Sequence, residues 1–355
     1  MNKKKYFTVS DIHGHAGVLK KALLDAGFDE SSPEHILVVC GDCFDRGREN
    51  LEVFEYLSKI QNKVIIRGNH EDLLCDAIKD GCIGYHDVVN GTDITVSQLF
   101  GDENVDKNGK IDFKSADKER INDFLSKAVD YYETENYIFV HGWVPTDDTG
   151  VWKKVWRTAP LSFWEEARYG DWRKMLSMKR ILPDKTIICG HRTAALAYEF
   201  DPNRSEDDFS PFYADGMIAI DTLTVQSGRI NVLVIDDHPL EKNTHFMCLR
   251  EGHFERVKAG TKTVEMRLFD SKRSKVKVGD RIVFSRASDS SDTVEVEVKG
   301  TYLYEDFEFL CEEFDQRSLG FPGMHRMAIS DYMTKIYGED DIARLGALAI
   351  RIKRI

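Results

Sequence analysis

The sequence predicts an α/β protein in two parts, a strand-and-helix region built on a largely parallel sheet and a smaller α+β region behind it. Three observations carry that prediction. Short apolar, β-branched runs alternate with helical patterns through the first two thirds of the chain. Five of those runs end in a short polar motif, and after a polar break at residues 236 to 243 the pattern changes to short strands with few helices. At 355 residues the chain exceeds one ordinary domain, and two is the natural division.

Tyr6 to Val9 is the first strand and leads into Asp11-Ile12-His13, after which Ala16 to Ala26 reads as a helix. Ile36 to Val39 precedes Gly41-Asp42, and Asn50 to Ile60 is the next helix. Val64 to Ile66 precedes Gly68-Asn69-His70-Glu71, with a helical pattern from Glu71 to Ile78. From Gly81 to Gly109 the pattern breaks into Gly, Asp and Asn, which predicts a loop-rich insertion. Lys118 to Val129 reads as a helix feeding the strand Tyr137 to Val140, which ends in His141-Gly142, and Thr186 to Ile188 ends in Gly190-His191. Residues 201 to 208 are acidic and turn-rich, a solvated loop. Met217 to Asp221 and Ile230 to Ile235, with Ser227-Gly228-Arg229 as turn material, predict a hairpin closing the first domain. The boundary then falls between domains of residues 1 to 243 and 244 to 355, the second a small mixed barrel-like fold.

The formal charge of -12 lies wholly in the first part. Residues 1 to 243 hold 30 Lys and Arg against 42 Asp and Glu, whereas 244 to 355 balance at 19 each. Within the second part, Arg256 to Arg286 carries ten basic and three acidic residues, a stretch for a polyanion or a solvated basic face. Seven scattered cysteines predict reduced thiols. Cys40 and Cys43 interleave with Asp42 and Asp45 and lack a second pair to complete a zinc site, so they read as packing beside the motifs. Only five residues separate the lysines at positions 3 to 5 from Asp11, too few for a signal-peptide core, and no run approaches a membrane span. A cytoplasmic protein is expected.

Each motif sits at the C-terminal end of its strand, the edge where open α/β sheets build their sites. With His70 set aside, the motifs bring two Asp, one Asn and three His, a donor set suited to Mn, Fe or Zn. Two divalent ions about 3.5 to 4 Å apart can activate a bridging water and neutralise a phosphoryl group undergoing in-line displacement, given a carboxylate that spans both.

Ser10-Asp11-Ile12-His13-Gly14, Gly41-Asp42-Cys43-Phe44-Asp45-Arg46-Gly47 and Arg67-Gly68-Asn69-His70-Glu71 resemble the three signature motifs of the phosphoprotein phosphatase-type (calcineurin-like) metallophosphoesterases. The match is ordered and spans about 180 residues. It implies a sandwich of sheets flanked by helices and two bound divalent metals, manganese first. By resemblance, Asp11 and His13 hold the first ion, Asp42 bridges, and Asn69, His141 and His191 hold the second. His70 resembles the general acid that protonates the leaving oxygen, oriented by Asp45. Arg46 and Arg67 match arginines that grip phosphate oxygens. A third such arginine usually follows a Trp, and two candidates compete, Arg157 and Arg168. The family usually begins its first motif with Gly-Asp, where this chain has Ser10-Asp11, and Trp143 stands where a second Gly commonly follows the fourth motif.

Arg250 to Phe254, Gly260 to Leu268 and Val278 to Phe284 resemble the start of an ASCH domain, a small PUA-like β-barrel, with weaker similarity at Tyr304 to Cys311 and Ala347 to Ile352. The resemblance implies binding of RNA or a nucleotide in a cleft lined by the Lys-Thr-x-Glu-x-Arg run, with Lys262, Glu265 and Arg267 as contacts. Glu265 and Arg267, two apart on a strand, equally well pair on one face. Members that deacetylate N4-acetylcytidine carry a Thr nucleophile where this chain has Glu265, so that chemistry lacks its hydroxyl.

The expected function is a two-metal phosphomonoesterase, serine/threonine phosphatase-like, acting on a phosphorylated substrate and steered by an RNA- or nucleotide-binding second domain. Hydrolysis of a dinucleoside polyphosphate, or RNA phosphatase or phosphodiesterase activity, is the alternative, since the same metals serve and only the leaving group differs. An RNA-binding module on a non-catalytic phosphatase scaffold is disfavoured by the full ligand set.

Overall fold

The computed structural model describes residues 3–106, 108–146, 156–179, 182 and 184–355. These divide into two compact units, 3–144 with 165–240, and 145–146 with 156–164 and 241–355.

The first unit contains strands β1 (Lys4–Val9), β2 (His35–Cys40), β3 (Lys63–Ile66), β4 (Tyr132–Glu133), β5 (Tyr137–Phe139), β6 (Thr186–Cys189), β7 (Phe212–Ala214), β8 (Met217–Ala219) and β9 (Leu233–Asp237). Between them run α1 (Ala16–Asp25), α2 (Asn50–Lys59), α3 (Asn69–Asp80), α4 (Tyr85–Asn90), α5 (Thr92–Phe100), α6 (Ser115–Ser126), α7 (Leu161–Arg168), α8 (Trp172–Ser177) and α9 (Thr224–Ser227). Residues 161–164, the first half of α7, fall in the second unit.

The strands of this unit build two sheets, as the expected sandwich requires. The first has the order β3-β2-β1-β9, with β1, β2 and β3 parallel and β9 antiparallel to β1. The second has the order β4-β5-β6-β8-β7, with β5, β6 and β8 parallel. Alternation along β1 explains the layering. Phe7 and Val9 enter a core with Leu19, Leu37, Phe54, Leu74 and Phe124, whereas Tyr6 points the other way and meets the rings of Tyr132 and Phe139 from the second sheet at 6.1 and 6.0 Å. The parallel registers pair Val9 with Val39, Cys40 with Ile66 and Cys189 with Ala219, so the polar motifs leave both sheets at one edge.

Two sequence expectations are corrected here. Met217 to Asp221 and Ile230 to Ile235 do not form a hairpin, because β8 joins β6 and β7 in one sheet while β9 joins β1 in the other. The intervening Ser-Gly ends a short helix, α9, closed by Gly228 in the left-handed region at φ 61°, and the Asn231 amide ties the crossing segment to the carbonyls of Phe209 and Ile220. The stretch Gly81 to Gly109 carries α4 and α5, and its glycines punctuate helices: Gly91 ends α4 and begins α5 at φ 83°, a conformation that only glycine adopts without strain.

The second unit is a curled five-stranded half-barrel of order β10-β12-β13-β14-β11. Its strands are β10 (Thr244–Leu249), β11 (Val264–Leu268), β12 (Arg281–Arg286), β13 (Thr293–Tyr304) and β14 (Ala347–Arg354), with helices α10 (Glu251–Lys258), α11 (Phe307–Glu313), α12 (Arg326–Tyr337) and α13 (Glu339–Leu345). The 12-residue β13 shifts register against β14 between Val298 and Gly300, a bulge that bends the sheet around Phe254, Ile282, Phe284, Val296, Leu348 and Ile350. Residues 156–164 belong to this packing. The Leu161 N–H donates to the Tyr304 hydroxyl at 3.2 Å, and Ser162 Oγ donates to Glu313 Oε1 at 2.6 Å. Among the described residues no helix is long and apolar enough to cross a membrane.

Candidate metal centre

Five strand ends converge on Asp42. Its Oδ2 lies 3.7 Å from His13 Nε2, 3.9 Å from His70 Nε2 and 3.3 Å from His141 Nε2. Two donor groups share it, His13-Asp42-His70 and Asp42-His141-His191, each with its ligand atoms within 4.8 Å of one another. Asn69 Oδ1 stands 3.0 Å from His141 Nε2, and Asp11 Oδ1 stands 3.9 Å from His13 Nε2. Asp11 Oδ2 accepts from the Ser10 hydroxyl and, at 3.0 Å, from the His191 N–H, which gives Ser10 a role in aiming the carboxylate.

The backbone concentrates strain here. Among the described residues eight non-glycines have φ between 46° and 72°, and six of them are Asp11, His13, Asp42, Asp45, Arg46 and His191. Left-handed φ costs a residue with a Cβ about 1–3 kcal/mol and persists only where the surroundings enforce it. The sharp turns at the strand ends aim consecutive side chains into one space. Close approach sets the glycines between them: a Cβ on Gly41 would fall 2.5 Å from His141 Nδ1, and one on Gly190 would strike the Asp11 carboxylate.

The imidazoles are oriented by carbonyls. His13 Nδ1 faces the Phe44 carbonyl at 3.0 Å and His141 Nδ1 the Cys40 carbonyl at 2.8 Å. A carbonyl only accepts, so Nδ1 carries the proton and Nε2 turns inward. Burial pushes His13 and His191 down to about 3, favouring the neutral ring that a metal needs. Burial works the same way on His141, but Asp42 outweighs it and raises the group to about 10. The proton that His141 and Asp42 hold between them is one a bound cation displaces. His191 Nε2 is buried without a hydrogen-bond partner. That orphaned nitrogen and this set of nitrogen and oxygen donors fit a pair of divalent metal ions.

His70 has a second attachment. Its Nδ1 donates to Asp45 Oδ2 at 2.7 Å, and both side chains are fully buried. Arg46 spans the two rings of the first pocket, with one amino nitrogen 3.1 Å from His13 Nε2 and the other 3.1 Å from His70 Nε2. Arg67 Nε lies 2.9 Å from Asp72 Oδ1. Arg168, also buried, reaches the other Asp72 oxygen at 2.5 Å and Asp130 Oδ1 at 2.6 Å. Burial opposes the charge on Arg168, and Asp72 and Asp130 outweigh it. Asp72 thus gathers Arg67 and Arg168 beside α3. Arg157 lies in the second unit, its guanidinium 4.3 Å from the Trp156 ring centre. Trp143 is buried, and its backbone N–H donates to the Ala167 carbonyl at 2.8 Å.

Sequence reasoning assigned no task to Glu71, Asp72, Thr92, Thr95 or Asp130. Glu71 had a local signal: it is the third residue of α3, where a glutamate reaches back to cap the helix. Its carboxylate accepts the N–H groups of Asp42, Cys43 and Gly68 at 2.9, 2.8 and 2.8 Å.

In the second unit Lys262 is 3% exposed. Its ammonium donates to the carbonyls of Val264 and Leu319, both at 2.7 Å, and stands 3.2 Å from Glu265 Oε2. Arg267 Nε meets the other Glu265 oxygen at 2.7 Å, and its guanidinium also donates to the Cys248 carbonyl. Next to this cluster Arg256, Thr261, Arg317 and Pro322 line a cavity of about 360 Å³.

The calcineurin-like phosphoesterase family model matches residues 5–220, and the ASCH domain model matches residues 247–355. Among solved structures, the chain is similar to a serine/threonine phosphatase of Saccharomyces cerevisiae with similarity to human phosphatase PP5, at 13% identity over 67% of this chain and 81% of that one, with a TM-score of 0.39. It is similar to a metallophosphoesterase of Sphaerobacter thermophilus at 18% identity, over 54% and 60% of the two chains, with a TM-score of 0.29. A protein of Pyrococcus furiosus is similar at 26% identity over 32% of this chain and 97% of its own, with a TM-score of 0.27. Comparison with curated proteins returns no match.

Proposed function

This chain belongs to the calcineurin-like phosphoesterases, metal-dependent hydrolases, and we propose that it is a phosphomonoesterase whose leaving group is an alcohol. The observation that carries this reading is the buried His70-Asp45 pair, whose imidazole stands 3.9 Å from the Asp42 carboxylate. Asp11, His13, Asp42, Asn69, His141 and His191 would hold two divalent ions, which would supply Lewis acidity for the phosphoryl group and for the attacking water. Arg46, together with Arg67 and Arg168, binds the phosphate oxygens through charge-assisted bonds. His70 gives its Nε2 proton to the departing oxygen while Asp45 holds Nδ1.

An acid at that place favours an ester over an anhydride. An alkoxide is about as basic as hydroxide, whose parent water has a pKa of about 15.7, and it needs a proton to leave. A phosphate leaving group, with a second pKa of about 6, departs without one. Phosphoserine and phosphothreonine chains and the terminal phosphates of RNA are esters of this kind. The cavity lined by Arg256 and Arg317 supports a second-domain ligand bearing phosphate, an RNA or a nucleotide, that brings the substrate to the metals.

The test is turnover by the manganese-loaded protein on phosphopeptides, dinucleoside polyphosphates and 5′- or 3′-phosphorylated RNA. Monoesters are expected to be hydrolysed, and His70→Asn to slow them about 100-fold or more. Faster turnover of the polyphosphates, unaffected by His70→Asn, would replace this reading with an anhydride hydrolase.

A further inference from the structure

Helix α5 lies in the stretch that the sequence assigns to a loop-rich insertion, yet two of its side chains end on Asp45. Thr92 Oγ1 donates to Asp45 Oδ2 at 2.7 Å, and Thr95 Oγ1 donates to Asp45 Oδ1 at 2.6 Å. The Asp45 N–H returns a bond to Thr95 Oγ1 at 3.0 Å and donates also to Asn50 Oδ1 at 3.0 Å. Thr92, Thr95, Asn50 and Asp45 are all fully buried. Oδ2 therefore receives His70 and Thr92 together, Oδ1 receives Thr95, and rotating the carboxylate breaks both threonine bonds. Asp45 and Arg46 sit at φ 72° and 65°, so this turn relaxes unless it is held. The start of the helix also lies close against the turn: a Cβ on Gly91, which caps α5, would fall 2.6 Å from the Arg46 backbone nitrogen.

We infer that Thr92 and Thr95 are positioning residues for leaving-group protonation, fixing the Asp45 carboxylate so that His70 presents Nε2 to the ester oxygen. This rests on the acid role of His70 stated above. As the P–O bond breaks, its electron pair passes to the leaving oxygen, which takes the proton from His70 Nε2. The attacking water gives up one proton to solvent and His70 regains one from it, so ester plus water gives alcohol plus phosphate. The threonines touch neither substrate nor metal ligands, and they act through the angle at which Asp45 meets the ring. Hydroxyls suit the task because each donates one short, directional bond to a buried carboxylate without adding a charge.

A leaving-group comparison separates this role from simple support of the fold. p-Nitrophenolate departs with little help from an acid, whereas phenolate needs it. On phenyl phosphate, Thr95→Val is expected to lower kcat about tenfold, and on p-nitrophenyl phosphate by less than about twofold. Thr95→Ser, which keeps the hydroxyl, restores both. Adding Thr92→Val to His70→Asn is expected to change nothing further, because Thr92 bonds only the carboxylate oxygen that holds that ring. Equal losses on the two esters, or a loss that persists in the His70→Asn background, overturns the inference. A leaving-group effect in His70→Asn with none in Thr95→Val overturns it while sparing the acid role, and no such effect in His70→Asn removes both. If Thr95→Val melts below the assay temperature, Thr92→Val, which deletes one donor and spares the bond to the Asp45 backbone, carries the same comparison.

Discussion

Two buried clusters of charge sit at strand ends or on strands of this molecule, and they are built on opposite plans. Around Asp42 the polar groups are left incomplete: three imidazole nitrogens face one carboxylate oxygen, His191 Nε2 has no partner, and six residues hold a strained left-handed φ. Around Glu265 the charges are paired, although the neighbouring His253 Nδ1 is buried without a partner. Lys262 donates to two carbonyls and Glu265, Arg267 meets Glu265 and a carbonyl, and among the described residues of the second unit no non-glycine has a positive φ. Burying polar groups is costly in both places. The first leaves that cost to be met by something the chain does not contain, while the second meets it internally. We read unsatisfied and strained burial as a site prepared for a ligand, and paired burial as a structural joint.

The largest effect that would break this contrast is at its centre. Asp42→Asn is expected to lower kcat about a thousandfold and to reduce bound manganese measured by elemental analysis, with little change in unfolding of the metal-free protein. If the centre were a structural joint, the metal-free protein would instead unfold far more easily. Glu265→Ala should do the reverse. It strands the buried Lys262 ammonium, and urea unfolding should show a loss of about 3–5 kcal/mol, while kcat on p-nitrophenyl phosphate in the folded protein stays within about twofold. A smaller effect sharpens the boundary of the joint: Arg256→Glu with Arg317→Glu should weaken binding of a 5′-phosphorylated single-stranded RNA about tenfold at low salt and leave stability unchanged. Unaltered binding would move the ligand away from that cavity. The smallest effect is acid sensitivity. Burial raises the Glu265 carboxyl, but Lys262 and Arg267 outweigh it and hold the group below its ordinary 4.5. The stability it contributes is therefore complete above 4.5 and lost as pH falls further. Thermal melting should decline below that pH in the wild type and decline less in Glu265→Gln.

Much of this was legible in the sequence because the first cluster is written locally. Asp11, Asp42, Asn69, His141 and His191 each follow a short apolar strand within a few residues, and parallel register brings those ends together without further instruction. The supporting groups were not legible for the opposite reason. Thr92 and Thr95 meet Asp45 across 47 and 50 residues, and glycines that cap helices look the same in sequence as glycines that make loops. The hairpin expectation failed on the same ground: two apolar runs with a Ser-Gly between them do not say which sheet each will join. Nor did the chain order disclose that Leu161 and Ser162 bond to Tyr304 and Glu313. A truncation at residue 243 thus removes partners from residues that precede it by some 80 positions, and it tests more than the loss of an appended domain.

Glu71 holds the N–H groups of Asp42 and Cys43 from one loop and of Gly68 from another. A single side chain thereby ties the loop that carries Asp42 to the loop that carries Asn69, and its length is a gauge for the spacing of the two donor groups. Glu71→Asp shortens that gauge by one methylene. The two loops then close toward each other or one bond is lost, and the variant is a way to vary the spacing of Asp42 and Asn69 while leaving both side chains in place.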